Sequence, residues 1–236
     1  MRKLRLPILL LALMAVGTTA RAQTTQRVLT YTGHSGVVST QPFGGAYYYV
    51  GPYHGSAPGM GSFDMYCVDF LHHVADSRPD LPGTNWNANF TKISNLGSGG
   101  LQYTRLGNAG LTNSDAVIRY QRSAFLATKF WEYQTSPNKA QQWTAIHSAI
   151  WRTADAGLGS VPNWIGSQAF VDAATSFDPN SMNWDYWQVV TPTNLTSASS
   201  SQEFLVYSTP EPGTILLMGS GLLALVGAAV VTRRAV

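Results

Sequence analysis

The chain contains one cysteine, Cys67, and a histidine, His147, that lies in a segment of helical periodicity farther along. A cysteine sulfur becomes a strong nucleophile when an adjacent imidazole takes its proton, so these residue types suggest a thiolate–imidazolium pair. The alternative is a histidine that is hydrogen-bonded in the core beside a buried, inert thiol. Because the sequence gives no separate signal for an oxyanion hole or an orienting Asn or Asp, the second interpretation is favoured.

The elements that position Cys67 have a β-like pattern. Short runs of β-branched and aromatic residues fill residues 27–74 and are separated by Gly/Pro turns, and Cys67 lies in the run 63–71. Strand signals return at 187–190 and 203–207, with a Ser/Thr-rich loop predicted at 191–201.

The elements that position His147 have a helical pattern over residues 114–177. Apolar residues recur there at spacings of three and four, which predicts three helices with buried faces; the first face comprises Ala116, Tyr120, Ala124, Ala127 and Trp131. Ser136 and Pro137 predict the start of the second helix, and Pro162 predicts the start of the third. The fold class is therefore predicted to be α+β.

Two short motifs carry a more specific resemblance. Residues 63–69 read FDMYCVD, and residues 145–151 read AIHSAIW. This pair resembles the two halves of the thioester domains of bacterial surface adhesins, in which a Tyr-Cys-hydrophobic-Asp motif precedes a Gln-x-Ala-Ile-Trp motif. The resemblance implies a β-rich, thioester-domain-like module with a central three-helix segment. In that family the cysteine attacks the glutamine carboxamide, ammonia leaves, and the internal thioester acylates an amine on a target.

The departure from this family lies at His147, which occupies the glutamine position. An imidazole has no carboxamide carbon, so Cys67 and His147 cannot form a thioester. Gln141 and Gln142 are poor replacements, since a five-residue offset places Gln142 about 140° around the helix from His147. His147 itself falls in the apolar stripe of its helix and is expected to point into the domain. The prediction is a degenerate thioester domain.

Two other groups of residues suggest binding sites. His72 and His73, with Asp69 and Asp76, suggest a metal site, but adjacent strand residues point to opposite faces, so no metal ligand and no cofactor are predicted. Aromatic residues that stack on sugar rings suggest a glycan surface, although strand aromatics more often fill a core. These aromatic residues are Tyr47, Tyr48, Tyr49, Tyr53, Trp184, Tyr186 and Trp187.

The N-terminal residues 1–22 have the three parts of a signal peptide. Arg2, Lys3 and Arg5 form the basic region, an apolar stretch follows, and Ala20 and Ala22 flank a cleavage site of the small-x-small type. We therefore expect export, with one domain at 23–209 as the exported part.

The C-terminal residues 210–236 combine three features. Pro210-Glu211-Pro212 is followed by an apolar segment at about 214–232 that is long enough for one transmembrane helix, and Arg233 and Arg234 follow it. This arrangement resembles the PEP-CTERM sorting signal of Gram-negative envelope proteins. The resemblance implies an exosortase that cleaves near the Pro-Glu-Pro motif, so the inner membrane would hold the precursor before cleavage.

The charge balance changes once these two ends are set aside. Residues 23–209 contain nine basic and eleven acidic side chains, a net charge of −2, whereas the whole chain carries +3. An acidic domain gives no electrostatic support for a nucleic-acid partner. The sequence thus predicts a non-enzymatic cell-surface or extracellular-matrix protein with a structural or adhesive role and with exopolysaccharide or surface glycans as partners. The alternative is a covalent adhesin or a cysteine-dependent enzyme that acts through Cys67.

Overall fold

The computed structural model describes residues 24–72, 84–155, 160–194 and 202–208. The predicted signal peptide, the sorting tail and its membrane helix lie outside the described residues, as do His73, Asp76 and most of the predicted loop at 191–201. Within the four described ranges, no helix is both long enough and apolar enough to span a bilayer.

Antiparallel strands close into a six-stranded barrel. The described strands are β1 Thr24–His34, β2 Val37–Val38, β3 Tyr49–Val50, β4 Tyr53–Ala57, β5 Gly61–Cys67, β6 Asn85–Lys92, β7 Trp187–Pro192 and β8 Phe204–Tyr207. The barrel order is β1-β4-β5-β8-β7-β6, and β6 pairs with β1 to complete it, while β2 and β3 form a separate ribbon. The predicted strands around Cys67 and at 187–190 are confirmed, and β7 continues through Thr191, where the sequence predicts the start of the loop.

No sequence pattern predicts the strand β6. Asn has a low strand propensity, and three asparagines weaken the signal of this segment. The asparagines alternate with Trp86, Ala88 and Phe90, of which Ala88 and Phe90 are buried. Burial of this alternate set on pairing with β1 and β7 outweighs the local preference.

Helices follow the first six strands and precede the last two. They are α1 Arg105–Asn108, α2 Asn113–Glu132, α3 Lys139–Ala154 and α4 Ser167–Ser176, with 3₁₀ turns at Ile93–Ser98, Gly100–Tyr103, Pro179–Ser181 and Trp184–Tyr186. The three longer helices confirm the predicted helical segment, and the described chain is a mixed α and β fold.

Two of the predicted helix starts are wrong. The second helix begins at Lys139, because the hydroxyl of Ser136 accepts the backbone N–H of Asn138 in a preceding turn. The third begins at Ser167 rather than at Pro162. The segment between is bonded to α3 instead, since Ser148 donates to the Pro162 carbonyl at 2.6 Å and accepts the Trp164 N–H at 3.2 Å.

The helix α2 packs on the barrel, and α3 packs against α2. The rings of Tyr66 on β5 and Phe130 on α2 are stacked with centroids 5.5 Å apart. About three turns earlier along α2, the Tyr120 hydroxyl donates to Glu203 at 2.6 Å, and Thr191 donates to the same carboxyl group. These contacts across the barrel wall fix α2, and through it α3, relative to Cys67.

Candidate functional site

The imidazole of His147 joins α3 to two backbone segments of the β part. His147 is fully buried, as its place in the apolar stripe of the helix predicts. Its Nδ1 accepts the backbone N–H of Gly51 at 3.0 Å, and its Nε2 lies 3.1 Å from the backbone carbonyl oxygen of Cys67. Since Nδ1 is an acceptor, Nε2 carries the proton and donates a hydrogen bond to the backbone carbonyl oxygen of Cys67.

Burial keeps this imidazole neutral. Desolvation lowers the pKa of His147 to about 3, although the hydrogen bond to the Cys67 carbonyl opposes the shift. Both ring nitrogens are already bonded to backbone groups. His147 therefore has no nitrogen left to take a proton from a thiol in this arrangement.

The thiol of Cys67 is directed to a different partner. Cys67 is fully buried at the end of β5, and its Sγ donates to the backbone carbonyl of Asp69 at 3.2 Å. Burial, together with the nearby Asp69 carboxylate, raises the pKa of Cys67 to about 12. The structure thus brings Cys67 and His147 together through a backbone carbonyl and gives no support to a thiolate–imidazolium pair.

Gly51 is required where α3 approaches the β part. Its φ is +107°, a region that residues with a Cβ rarely adopt. A Cβ built there would lie 2.4 Å from the ring of Trp143, which is one turn before His147 on α3. A glycine therefore lets the backbone come close enough for its N–H to reach His147.

A carboxamide that no sequence motif indicates lies beside the thiol. Gln202 is 8% exposed, and its Nε2 donates to the Asp69 carbonyl at 3.3 Å, the same oxygen that accepts the Cys67 thiol. Its Oε1 is buried and has no hydrogen-bond partner among the described residues. Gln202 lies two residues before Phe204, which pairs with Cys67 across the strands. Only this pairing reveals the proximity, because the two residues are 135 positions apart in the sequence.

Two side chains of the suggested metal site, Asp69 and His72, lie in a polar cluster with Arg105. The carboxylate of Asp69 is 2.5 Å from Arg105 Nε and 2.9 Å from His72 Nδ1. His72 follows the strand rather than lying in it, and His73 and Asp76 lie outside the described residues. In the described part of the chain, no group of three His, Cys, Asp or Glu side chains is arranged to hold a metal ion.

The aromatic residues proposed to bind sugars are divided between core and surface. Tyr53 and Trp187 are buried, whereas Tyr47 is 59% exposed. Trp131, predicted to face the core, is 43% exposed, because it lies in the last turn of α2 with one side toward solvent. Its ring stacks on Trp187 with centroids 6.1 Å apart and meets the edge of Tyr207 at 5.4 Å.

Comparison with known proteins identifies one segment. Residues 208–234 match the PEP-CTERM protein-sorting motif. This range includes Pro210, Glu211 and Pro212 together with Arg233 and Arg234, so the prediction of a sorting signal is confirmed. No curated protein and no solved structure matches the chain. The resemblance of the central domain to thioester domains accordingly stays a prediction.

Proposed function

We propose that this chain is a cell-surface or extracellular-matrix protein that acts through non-covalent adhesive or structural contacts. The observation that carries the proposal is the PEP-CTERM motif at residues 208–234, which supports an exported protein sorted by an exosortase. The finer role, adhesion by a degenerate thioester domain, rests on the buried state of the Cys67 thiol and on the exposed aromatic surface around Trp131.

The state of Cys67 supports non-covalent action. A covalent adhesin needs an electrophile that an external amine can reach, and a catalytic cysteine needs a thiolate. Cys67 is fully buried, its thiol is bonded to a backbone carbonyl, and its pKa is raised to about 12. His147, at the position of the family's glutamine, uses both ring nitrogens in hydrogen bonds to the backbones of Gly51 and Cys67.

The surface around Trp131 supports a glycan partner. An aromatic ring that is held in place and exposed on one side packs well against the apolar face of a sugar ring. The rings of Trp187 and Tyr207 pack against the ring of Trp131, and the ring centroids of Tyr186 and Tyr207 are 6.1 Å apart. Exopolysaccharide or surface glycans are therefore the proposed partners.

The sorting part of the proposal is tested by replacing Pro210, Glu211 and Pro212 with alanine in a bacterium that has an exosortase. We expect the variant to accumulate as an uncleaved precursor in the inner membrane, whereas the wild-type chain reaches the surface or medium. Equal surface delivery of both chains would overturn this part. Adhesion of cells to a glycan-coated support, compared between wild type and Trp131→Ala, tests the adhesive part at matched surface levels.

A covalent adhesin is the second candidate, and Gln202 is the observation that favours it. The thiol of Cys67 and the carboxamide of Gln202 bond the same carbonyl oxygen of Asp69. In this alternative the sulfur attacks the Gln202 carboxamide carbon, an S–C bond forms, the C–N bond breaks, and ammonia leaves with the thiol proton.

Intact-mass spectrometry separates the two candidates. A thioester lowers the mass by about 17 Da through loss of ammonia, and methylamine, which adds about 31 Da when it opens the thioester, then gives a product about 14 Da heavier than the unmodified chain. Cys67→Ala and Gln202→Glu are the matched controls that cannot lose ammonia in this way. We expect the unmodified mass for wild type, while a deficit that disappears in both controls would establish the covalent alternative. A deficit that appears only in His147→Gln would support descent from a thioester domain.

A further inference from the structure

A cleft between three helices concentrates positive charge on the surface of this acidic domain. It has a volume of about 260 Å³ and lies between α2, α3 and α4. Arg119 and Arg122 enter it from α2, and Arg152 enters it from α3. None of the sites described above includes these residues.

The charge in the cleft is unusual for this chain. Three of the nine basic side chains in residues 23–209 line it, although this segment has a net charge of −2. Among the described lining residues, only Asp115 is acidic, and its carboxylate already accepts the Thr112 hydroxyl at 2.6 Å. The cleft therefore has a local excess of two positive charges.

Backbone carbonyls at helix ends hold two of the three guanidinium groups, those of Arg119 and Arg122, despite the mutual repulsion of the arginines. Arg119 donates to the carbonyls of Thr153 at 3.0 Å and Asp155 at 2.5 Å, at the end of α3. Arg122 donates to the Thr175 carbonyl at 3.1 Å, near the end of α4. The negative end of each helix dipole stabilises the neighbouring cation.

Arg152 is held by side chains alone. It donates to the Ser167 hydroxyl at 3.0 Å and to the Gln168 carboxamide oxygen at 2.6 Å, both on α4. Its bonds therefore involve no helix-terminal carbonyl. This makes Arg152 the arginine of the cleft that is best suited to substitution without disturbing the helices.

The hydrogen bonds that anchor Arg119 and Arg122 do not use all of their N–H donors. The bonds of Arg119 and Arg122 to helix carbonyls each use a single terminal nitrogen of a group that carries five N–H bonds. The Nε of Arg122 is buried and has no hydrogen-bond partner in the described part of the chain. A buried donor of this kind is normally satisfied by an acceptor. Half-buried guanidinium groups also bind oxyanions more strongly than fully solvated ones.

We propose that the cleft lined by Arg119, Arg122 and Arg152 binds a carboxylate group of an acidic polysaccharide. The planar guanidinium matches a carboxylate through two parallel hydrogen bonds. The volume suits a single small anionic group rather than a folded partner. The choice of a saccharide carrier rests on the proposed surface function, whereas the preference for an anion rests on the cleft itself.

The test uses the full chain in a neutral detergent and isothermal titration with oligogalacturonate at low salt. We expect binding that falls at least about tenfold in Arg122→Gln/Arg152→Gln. The control Lys92→Gln/Lys129→Gln removes the same charge outside the cleft and is expected to change the affinity by less than about twofold. Dextran, a neutral polymer, is not expected to bind here, and inorganic sulfate is expected to compete, because it is a small oxyanion of the kind that the cleft accommodates.

Three results would overturn the inference: no binding of oligogalacturonate by wild type, an equal loss in the lysine control, or equal competition by dextran. If Arg122→Gln/Arg152→Gln proves unfolded by circular dichroism, Arg152→Gln alone decides, and unchanged affinity in that variant also overturns the inference. The proposed function fails separately, through normal delivery of the Pro210–Pro212 variant or adhesion that is independent of Trp131. A chain that is sorted and adheres but does not bind oligogalacturonate contradicts the cleft inference alone.

Discussion

The helices α2 and α3 contribute to two polar regions that differ in burial and in the number of partners. In the Cys67–His147 junction, each imidazole nitrogen has one backbone partner and the whole group is removed from water. In the arginine cleft, the guanidinium groups are half-buried and Arg122 keeps a buried donor without a partner in the described structure. Both regions join elements that are distant in sequence.

This difference separates a structural role from a binding role. A buried polar group whose hydrogen bonds are all formed within the chain stabilises the fold and has nothing left to offer a ligand. A half-buried cation with free donors contributes less to stability, since water solvates it in part, but it can bind an anion. We therefore expect substitutions at the junction to change stability and substitutions in the cleft to change binding.

The largest expected effect is protection of Cys67 from alkylation. Because the thiol is buried and its pKa is raised to about 12, labelling should require global unfolding. That requirement slows the reaction by about 10³-fold or more relative to the urea-unfolded chain. Mass-spectrometric labelling with iodoacetamide across pH 6–9 measures it. A fast native reaction with an apparent pKa below about 8 would instead indicate an activated thiol.

The next effect is a loss of stability in His147→Ala. This substitution leaves the Gly51 N–H and the Cys67 carbonyl buried without partners and opens a cavity, so we expect a loss of about 3–5 kcal/mol. Urea denaturation measures the free energy of unfolding. His147→Gln, which supplies one acceptor and one donor, is the matched control and should lose less. Equal stability of wild type and His147→Ala would remove the structural role.

A smaller effect concerns pH. The pKa of His147 is about 3 in the folded chain and near 6.5 when unfolded, so the unfolded state takes up the proton first as pH falls. Stability should therefore decrease below pH 6.5, by about 2 kcal/mol between pH 7 and pH 5. Burial raises the pKa of Glu203, which acts in the opposite sense. The quantity to compare is thus the difference between wild type and His147→Gln, and a pH-independent difference would contradict the assignment.

The smallest expected effect on stability is that of Arg122→Gln/Arg152→Gln. These side chains are partly solvated, and their anchoring bonds should contribute less than about 1 kcal/mol each. Thermal unfolding of this variant and of His147→Ala compares the stability loss in the arginine cleft with the loss at the Cys67–His147 junction. A loss as large as that of His147→Ala would make the cleft a structural feature like the junction.

Much of the helical part could be predicted because its signals are local. The spacing of apolar residues along α2 and α3 follows the helix period, and His147 falls in the buried stripe that this period defines. The strand β6 was missed because its asparagines oppose its tertiary environment. Trp131 was misplaced because periodicity alone does not tell where a helix extends past the surface that it covers.

The sequence by itself determined the sorting tail, the mixed α and β character and the inward direction of His147. Each of these depends on residue types within a few turns or a short motif. Only the tertiary structure decided that His147 meets the carbonyl of Cys67 rather than its sulfur, that Gln202 lies beside the thiol, and that three arginines share a cleft. These contacts join segments brought together by barrel closure and helix packing, and no local pattern in the chain specifies which atoms then meet.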